Sequence, residues 1–208
     1  MRQVTGERPG ILLVLSGPSG VGKNTVLNAL IARNPQVKYS ISATTRPPRP
    51  GEIHGKHYFF LSEEEFTRRV AAGEFLEWAE FCGHRYGTPR PYVEGHLAVG
   101  HHVVLDIDVQ GAMQVRGAMP EAVLVFLLPP SWEVLEARIR SRGTDAEEAI
   151  RRRLAVAKEE IAALPSYEYV VWNREVTAAV RELEAILTAE SCRTERLGEE
   201  YLRGFFES

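Results

Sequence analysis

Four short apolar runs alternate with helical patterns along the chain, and this alternation restricts the fold more than any other feature. The runs are ILLVLSG (11–17), HVVLDID (102–108), AVLVFLL (122–128) and YVVWN (169–173). Runs this uniformly apolar are typical of strands that are covered on both faces, as in parallel sheets. Helical patterns follow them at about 22–33, 111–117, 131–141, 145–163 and 175–190. The sequence therefore predicts an α/β fold with a parallel sheet and right-handed crossovers.

The stretch from about 39 to 100 breaks this alternation. It contains YSISATTRPPRPGEIHGKHYFF, which is rich in proline, glycine, serine and threonine, and later the mixed aromatic and polar run EFLEWAEFCGHRYGTPR. Between these runs lies a short helical pattern, with Ser62 as its N-cap and Glu65 at the capping-box position. We interpret 39–90 as a small β-rich subdomain inserted into the main fold.

Size, charge and cysteine content narrow the class of protein. A chain of 208 residues suits one domain that carries an insertion. The net charge of −3 does not favour a nucleic acid or a membrane surface as partner, and no apolar run approaches the about 20 residues that a membrane span needs. Cys82 and Cys192 form no disulfide framework or metal pattern, and the opening residues lack the apolar segment of a signal peptide. We expect a cytoplasmic protein with reduced thiols and leave its oligomeric state open.

The segment GPSGVGKNT (17–25) follows the first predicted strand and opens the first helix. It matches the phosphate-binding pattern G-x-x-x-x-G-K-[ST], except that Asn24 stands at the hydroxyl position. Backbone N–H groups of such a loop and the helix N-terminus attract phosphate, and Lys23 adds a full positive charge. We expect nucleotide phosphates to bind here. The residues of this expected site are Gly17, Pro18, Ser19, Gly20, Val21, Gly22, Lys23, Asn24 and Thr25.

Asn24 bears on how a metal ion would be held. A serine or threonine at this position normally ligates Mg²⁺, whereas the asparagine oxygen is a hard ligand with a longer reach. Adenylate kinases resemble this arrangement, because they carry Gly-Lys-Gly-Thr and also lack the first hydroxyl. Since Mg²⁺ needs few protein ligands beside phosphates and water, we expect a working loop. The candidate metal ligands are Asn24, Thr25 and Asp106.

The run VVLDIDVQG places two acids, Asp106 and Asp108, at the carboxyl end of the second predicted strand. Ligands bind at this end of the strands in open α/β sheets. The two-residue spacing within a strand predicts that both carboxylates point to the same side. One of them could be the acid near Mg²⁺; the alternative is a pair of loop acids that cap the next helix.

Two arginine-rich segments supply candidate ligands for phosphate. TTRPPRPGE carries Arg46 and Arg49 on a proline-stiffened loop, which suits bidentate capture of a phosphate, and Tyr58 and Tyr86 could add phenol donors. In ARIRSRGTDAEEAIRRRL, an RGT turn joins two helical patterns. We interpret it as a lid that brings arginines over transferring phosphates, although solvated, ion-paired helix faces account for several of these arginines.

Taken in order, these motifs resemble those of the guanylate kinases. The resemblance rests on GPSGVGK, SATTRPPRPGEIHGKHY, EFLEWAEFCGHRYGT, LDIDVQG and RSRGTDAEEAIRRRL and covers about residues 10–190. It implies a P-loop NTPase fold, with a three-layer parallel sheet, an inserted β-rich GMP-binding subdomain and a helical lid. Residues 1–208 would form one domain, comprising a core (8–38, 91–137 and 159–190), the insert (39–90), the lid (138–158) and a tail (191–208).

The resemblance also implies an activity, namely Mg²⁺-dependent phosphoryl transfer from ATP to GMP, which gives ADP and GDP. Use of dGMP is left open. ATP would bind the phosphate loop and Asn173. GMP would bind Ser42, Arg46, Arg49, Tyr58, Glu77, Tyr86, Thr88 and Asp108, with Ser42, Glu77 and Thr88 at the base. The catalytic residues would be Lys23, Arg46, Arg138, Arg142 and Arg153.

Two other functions stay open at this point. One is a kinase for another phosphorylated acceptor, such as a ribose bisphosphate, although the guanine-binding set argues against it. The other is a non-catalytic guanylate-kinase-like binding module, which would follow if Asn24 disables the loop. The chemistry of the base favours the kinase, because the Glu77 carboxylate can accept hydrogen bonds from guanine N1–H and N2–H₂, a donor pair that adenine lacks.

Overall fold

The structure is a computed structural model that describes residues 8–141 and 146–196. The elements in chain order are β1 (Leu12–Ser16), α1 (Lys23–Arg33), β2 (Val37–Tyr39), β3 (Ala43–Thr44), β4 (Phe59–Phe60), α2 (Glu63–Ala71), β5 (Phe75–Phe81), β6 (His84–Pro89), α3 (Arg90–Ala98), β7 (His102–Asp106), α4 (Val109–Ala118), β8 (Val123–Leu128), α5 (Trp132–Arg140), α6 (Glu147–Ala162), β9 (Tyr169–Trp172) and α7 (Val176–Ser191).

The main sheet is parallel and has five strands in the order β2-β7-β1-β8-β9. The central strand β1 pairs with β7 on one side, where Leu15 lies opposite Asp106, and with β8 on the other, where Ser16 lies opposite Phe126. The four apolar runs form four of these strands, which confirms the predicted α/β fold. Because β1 and β7 end side by side, the glycine-rich loop after β1 lies next to Asp106.

The central strand is buried on both of its faces. Leu13 and Leu15 pack with apolar residues of α1 and α7, whereas Leu12 and Val14 pack with residues of α3 and α4. Helices therefore cover both sides of the sheet, and the three-layer prediction is confirmed. Burial on both faces also explains why the run is continuously apolar and does not alternate with polar residues.

A second sheet has four strands in the order β4-β3-β6-β5. Strands β5 and β6 form a hairpin whose two turn residues, Cys82 (φ 51°) and Gly83 (φ 74°), both have positive φ, as tight hairpins prefer. The predicted cap of α2 is confirmed, since Ser62 Oγ accepts a hydrogen bond from the Glu65 N–H at 3.1 Å. Tyr39, which the sequence placed in the insert, is instead the last residue of β2, and the second sheet begins after it.

Phe66 is the centre of the small core beneath the second sheet. Its side chain is fully buried and stacks on Phe75 with ring centroids 4.5 Å apart. We expect Phe66→Ala to lower the free energy of unfolding by about 3–5 kcal/mol, because the cavity adds to the lost transfer free energy. Urea denaturation measures the change. Phe81→Ala, at a side chain that is 69% exposed, is the control and should cost far less; equal losses would contradict this account.

Helices α5 and α6 share an apolar cluster that contains Leu135, Ile139, Ile150 and Ala157. The sequence placed the lid boundary at residue 138, but α5 continues to Arg140, so Arg138 belongs to the last turn of α5. The predicted RGT turn with Arg142, and the tail from residue 197, lie outside the described residues. Within 8–141 and 146–196, no helix combines the length and the apolar character that crossing a membrane requires.

Candidate functional site

The glycine-rich loop from Gly17 to Gly22 is held by side chains from other elements. The Val21 carbonyl accepts hydrogen bonds from Asn173 Nδ2 at 2.7 Å and from Arg138 Nη1 at 3.0 Å. Gly22 has φ +101°, and a Cβ there would lie 2.7 Å from Asn173 Nδ2, so the position requires glycine. The Val21 N–H donates to the Pro18 carbonyl at 3.0 Å, so the N–H groups available to an anion belong to other residues of the loop.

Lys23, the first residue of α1, lies between this loop and the end of β7. Its Nζ donates to the Gly17 carbonyl at 2.7 Å and is 3.8 Å from Asp106 Oδ1. Burial raises the pKa of Asp106, and the charge of Lys23 opposes that rise. The structure thus brings together a phosphate-loop lysine and a partly buried carboxylate, as the sequence predicted.

Three candidate metal ligands lie around Lys23. Asn24 and Thr25 are exposed in the first turn of α1, and Asp106 ends the neighbouring strand β7. Among the residues that the structure describes, no three His, Cys, Asp or Glu side chains are grouped to hold a metal. Metal binding at these three residues would therefore need further ligands from phosphates and water, which is the usual arrangement for Mg²⁺.

Asp108 does not lie on a strand, so the prediction that it alternates with Asp106 along one strand is wrong. Strand β7 ends at Asp106, and Asp108 is the N-cap of α4, where its Oδ1 accepts a hydrogen bond from the Gly111 N–H at 2.8 Å. For Asp108, the alternative interpretation as a loop acid that caps the next helix is therefore correct. Asp108 nevertheless lies close to Glu77, and its charge contributes to raising the pKa of Glu77.

Glu77 and Thr88 form a buried polar pair on the neighbouring strands β5 and β6. Thr88 Oγ1 donates to Glu77 Oε1 at 2.7 Å, and the two residues are 8% and 1% exposed. Burial raises the pKa of Glu77, and the hydrogen bond from Thr88 opposes the shift. Ser42 lies just before β3 and is partly exposed. Within residues 8–141 and 146–196, the Thr88 hydroxyl is the one side-chain donor to this buried carboxylate, which is therefore suited to receive the N–H groups of a ligand.

Arg46, Tyr58 and Tyr86 lie together at the edge of the second sheet. The Arg46 guanidinium is 5.2 Å from the Tyr58 ring centroid, and the Tyr58 and Tyr86 centroids are 6.2 Å apart. Glu52 and, to a smaller extent, Tyr86 raise the pKa of Arg46. Arg49 is exposed in the adjoining loop. Two cationic residues and two phenols thus surround a region that suits a phosphate group.

Two residues near this region were missed at the sequence level. Glu52 accepts two hydrogen bonds from Arg46, at 2.7 and 2.8 Å, and a third from the Arg49 backbone N–H at 2.7 Å. These contacts lower the pKa of Glu52 to about 2. Tyr39 lies at the end of β2 near Asp106 and Tyr58. The residue is 45% exposed, and partial burial together with those two neighbours raises its pKa to about 12. The position of Glu52 in RPPRPGE, next to two arginines, could have indicated from the sequence that it pairs with them. No local sequence pattern indicates a role for Tyr39.

A cleft of about 420 Å³ lies on the outer side of the phosphate loop. It is lined by Gly20, Gly22, Thr25, Arg138, Asn173, Arg174, Glu175 and Val176. Arg153, on α6, reaches the same loop and donates from Nη2 to Ser19 Oγ at 2.8 Å. The structure therefore gathers Lys23, Arg138, Arg153 and Asn173 around one loop, whereas Arg46 lies with the tyrosines of the second sheet.

Comparison with known proteins gives a consistent family assignment. The sequence profile described as guanylate kinase matches residues 10–190. The guanylate kinase of Symbiobacterium thermophilum is 54% identical over 189 residues, which cover 91% of this chain and 90% of that protein. The guanylate kinase of Streptomyces coelicolor is 57% identical over 175 residues, covering 84% and 89%. The crystal structure of guanylate kinase from Anaplasma phagocytophilum superposes with a TM-score of 0.71 at 36% identity and covers 94% of each chain.

The match thus extends over the main sheet, the inserted sheet and the loop with its neighbouring arginines. The P-loop NTPase fold that the sequence motifs implied is confirmed. This chain belongs to the guanylate kinase family.

Proposed function

We propose that this chain transfers the terminal phosphoryl group of ATP to GMP, giving ADP and GDP. The observation that carries the proposal is the buried Glu77–Thr88 pair, 2.7 Å apart, which lies in the same chain as a phosphate loop with its lysine. The names of the relatives support this acceptor. The same geometry leaves dGMP open as an alternative acceptor.

Glu77 would recognise the guanine base. Its carboxylate can accept hydrogen bonds from N1–H and N2–H₂ at once, whereas adenine would leave the buried carboxylate unpaired. Thr88 orients the carboxylate through Oε1, and Ser42 lies within the same sheet region. Asp108, close to Glu77 at the start of α4, completes the base side of the proposed GMP pocket.

The acceptor phosphate would lie between the arginine loop and the tyrosines. Arg46, Arg49, Tyr58 and Tyr86 provide the donors. Glu52 already holds the guanidinium of Arg46 in a bidentate pair, so less side-chain freedom is lost when a phosphate binds. The acceptor phosphate is itself anionic, and phosphoryl transfer to it needs positioning and charge neutralisation more than a strong general base.

The donor phosphates would bind the loop from Gly17 to Thr25. Lys23 would neutralise charge on the transferring group, while Arg138 and Arg153 contact the loop from outside and Asn173 holds its Val21 carbonyl. Arg142 is assigned a phosphate contact only by the family resemblance. Two clusters of cations, one at each nucleotide, agree with a reaction whose barrier is lowered by electrostatic stabilisation.

The residues around Lys23 fit a magnesium ion of the usual kind. Asp106, Asn24 and Thr25 offer hard oxygen atoms and no complete cage, which matches the preference of Mg²⁺ for phosphates and water. A bound Mg²⁺ would neutralise phosphate charge and link the donor phosphates to the protein. We also infer a cytoplasmic location, because both cysteines are free and exposed, as is usual for thiols in a reducing compartment.

Asn24→Ser tests the magnesium assignment. We expect wild-type turnover at ordinary Mg²⁺ concentrations, and we expect Asn24→Ser to lower the Mg²⁺ concentration for half-maximal rate about three- to tenfold, because the hydroxyl is a better-placed ligand. ADP formation with ATP and GMP across a Mg²⁺ series measures both. Asn28→Ser, one turn along α1 and also exposed, is the matched control.

The same experiment separates the alternatives. If the wild type shows no turnover and Asn24→Ser restores it, the result would contradict the proposal and favour a binding module. Replacement of GMP by a ribose bisphosphate or by AMP in the assay tests the acceptor. Faster turnover with either of these than with GMP would refute the role given to Glu77.

A further inference from the structure

The segment that joins β3 to β4, residues 45–58, carries the arginines of the acceptor-phosphate region, and we call it the acceptor loop. Residues 45–58 contain no helix or strand. Arg46, near the start of the loop, contacts residues at its far end. The Arg46 Cζ is 5.2 Å from the Tyr58 ring centroid and 5.7 Å from that of Phe60. The position of Arg46 therefore depends on how this loop folds back on itself.

Two histidine side chains hold the acceptor loop in its folded shape. His57 Nδ1 accepts a hydrogen bond from the Ile53 N–H at 2.9 Å, and His54 Nδ1 accepts one from the Phe60 N–H at 3.2 Å. The Ile53 carbonyl in turn accepts the His57 N–H at 3.0 Å, so Ile53 is bonded on both sides. Each imidazole therefore closes a turn of the chain by accepting a backbone N–H.

Both closures lie next to groups that contact Arg46. Ile53 directly follows Glu52, whose carboxylate accepts hydrogen bonds from the Arg46 guanidinium at 2.7 and 2.8 Å. His57 directly precedes Tyr58, whose ring lies beside the same guanidinium. A shift of either closure would therefore move a group that positions Arg46.

An imidazole nitrogen accepts a hydrogen bond only while it carries no proton. In the neutral ring one nitrogen accepts and the other donates, whereas both nitrogens are donors in the protonated ring. Histidine side chains ordinarily take up this proton at about pH 6.5. Protonation of Nδ1 would set N–H against N–H at both closures, so the hydrogen bonds from Ile53 and Phe60 would be lost.

The charged groups around the two rings do not offset this loss. The acceptor loop contains one acid, Glu52, which already accepts three hydrogen bonds from the arginines of the loop. The ring of His54 packs against Phe59, which packs in turn against Tyr92 of α3. The charged and titratable neighbours are Arg46, Arg49, Glu52, Lys56, Tyr58, Tyr86 and Tyr92. Because the one acid of the loop is bound to the arginines, a protonated histidine gains no carboxylate from it.

We propose that His54 and His57 are positioning residues of the acceptor-phosphate site, which hold Arg46 through the acceptor loop only while their Nδ1 atoms are unprotonated. This inference rests on the proposed function. It predicts that GMP binds more weakly as pH falls and the two rings take up protons. The added positive charge acts in the opposite direction, but both rings are exposed, so salt screens it. The donor nucleotide binds the phosphate loop and should not share this dependence.

Two double variants separate the hydrogen-bond acceptor from its titration. In the asparagine pair, His54→Asn/His57→Asn, Oδ1 replaces Nδ1, because both atoms are reached through the same side-chain bonds, and the amide does not titrate. In the alanine pair, His54→Ala/His57→Ala, both acceptors are lost. His84→Asn, at the start of β6 in the same sheet, is the control. GMP binding is measured by calorimetry without ATP from about pH 5.5 to about pH 8, the range around histidine titration.

The main readout is the dissociation constant for GMP of the wild type divided by that of the asparagine pair. Protonation of Glu77 or of the GMP phosphate affects both proteins alike and cancels in this ratio. We expect a ratio close to unity at about pH 8 and about three to ten at about pH 5.5, the effect of losing a typical hydrogen bond. The alanine pair should bind GMP about three- to tenfold more weakly than wild type at about pH 8. His84→Asn should follow the wild type throughout.

Two further readouts distinguish positioning from a general structural role. In steady-state assays at about pH 8, the alanine pair should raise KM for GMP and leave KM for ATP unchanged. In ¹⁵N-labelled protein without nucleotide, the Ile53 and Phe60 amide resonances should shift as the rings titrate, and these shifts should be absent in the asparagine pair. If the alanine pair does not fold, the pH dependence of the ratio decides the question.

Several results would overturn the inference. They are a ratio that stays constant or decreases as pH falls, wild-type GMP affinity in the alanine pair, or Ile53 and Phe60 amides that do not respond to the histidines. GMP binding is measured without the donor. A chain that binds GMP with the expected pH dependence but does not phosphorylate it would therefore refute the proposed function and leave this inference standing.

Discussion

Lys23→Ala should lower kcat for GMP phosphorylation by about 10³-fold while the fold stays intact. Removal of one electrostatic donor from a preorganised site typically costs this much, because the charge acts on the transition state in a site shielded from water. Lys23 is fixed for such a role, since its Nζ contacts the Gly17 carbonyl at 2.7 Å and Asp106 Oδ1 at 3.8 Å. Coupled detection of ADP measures the rate, and circular dichroism checks the fold.

Loss of this lysine also has an electrostatic consequence for its neighbour. The charge of Lys23 opposes the burial that raises the pKa of Asp106, so the pKa of Asp106 should rise further in Lys23→Ala. Lys38→Ala, on strand β2, is the control. Its Nζ donates to the nearby Pro35 carbonyl, away from the phosphate loop, and its loss should leave the rate unchanged. Retention of full activity in folded Lys23→Ala would refute the proposed phosphoryl transfer.

Glu77→Gln should reduce kcat/KM for GMP by about 10³- to 10⁴-fold, since a site built to pair buried polar groups discriminates strongly against a mismatch. The amide would place an N–H₂ group against the donors of guanine. Steady-state assays with GMP and AMP measure the selectivity. Glu80→Gln lies on the same strand, is exposed and serves as the matched control. A Glu77→Gln enzyme that still prefers GMP over AMP as strongly as wild type would disprove the assignment.

The ionisation of Glu77 gives this prediction a pH dependence. Burial raises the pKa of Glu77, so the carboxylate is protonated at a higher pH than an ordinary glutamate. GMP affinity should therefore fall as pH falls through that raised pKa. The sign for stability is opposite: a carboxyl group whose pKa is raised by folding stabilises the fold at low pH, and this contribution is lost as pH rises. Glu77→Gln should accordingly unfold at no lower temperature than wild type at neutral pH.

The sequence predicted those features whose structure depends on residues that are close together along the chain. The four apolar runs predicted the parallel strands, because burial on both faces demands continuous apolar residues. Ser62 and Glu65 predicted the start of α2, because a capping contact spans only three residues. The pattern from Gly17 to Lys23 predicted the phosphate loop, because its conformation depends on local glycines and on the helix that follows.

Short or weakly patterned elements were not found. Strand β2 has three residues, too few for a hydrophobic period, and its pairing with β7 depends on a strand far along the chain. Helix α3 begins with proline in its first turn and contains Gly95, which dilutes the helical signal. The two-residue spacing of the acids in VVLDID suggested that Asp108 continues the strand. In the structure, β7 ends at Asp106, and Asp108 is the N-cap of α4.

The sequence by itself determined the α/β class, the phosphate loop and the family, since each depends on residue types at short, regular spacings. Only the tertiary structure decided which side chains complete the site. Asn173 and Arg138 meet at the Val21 carbonyl, and Arg153 reaches Ser19, across long stretches of intervening chain. These contacts depend on the order of strands in the sheet and the packing of α5 and α6, because hydrogen bonds form between atoms that are close in space, whatever their separation along the chain.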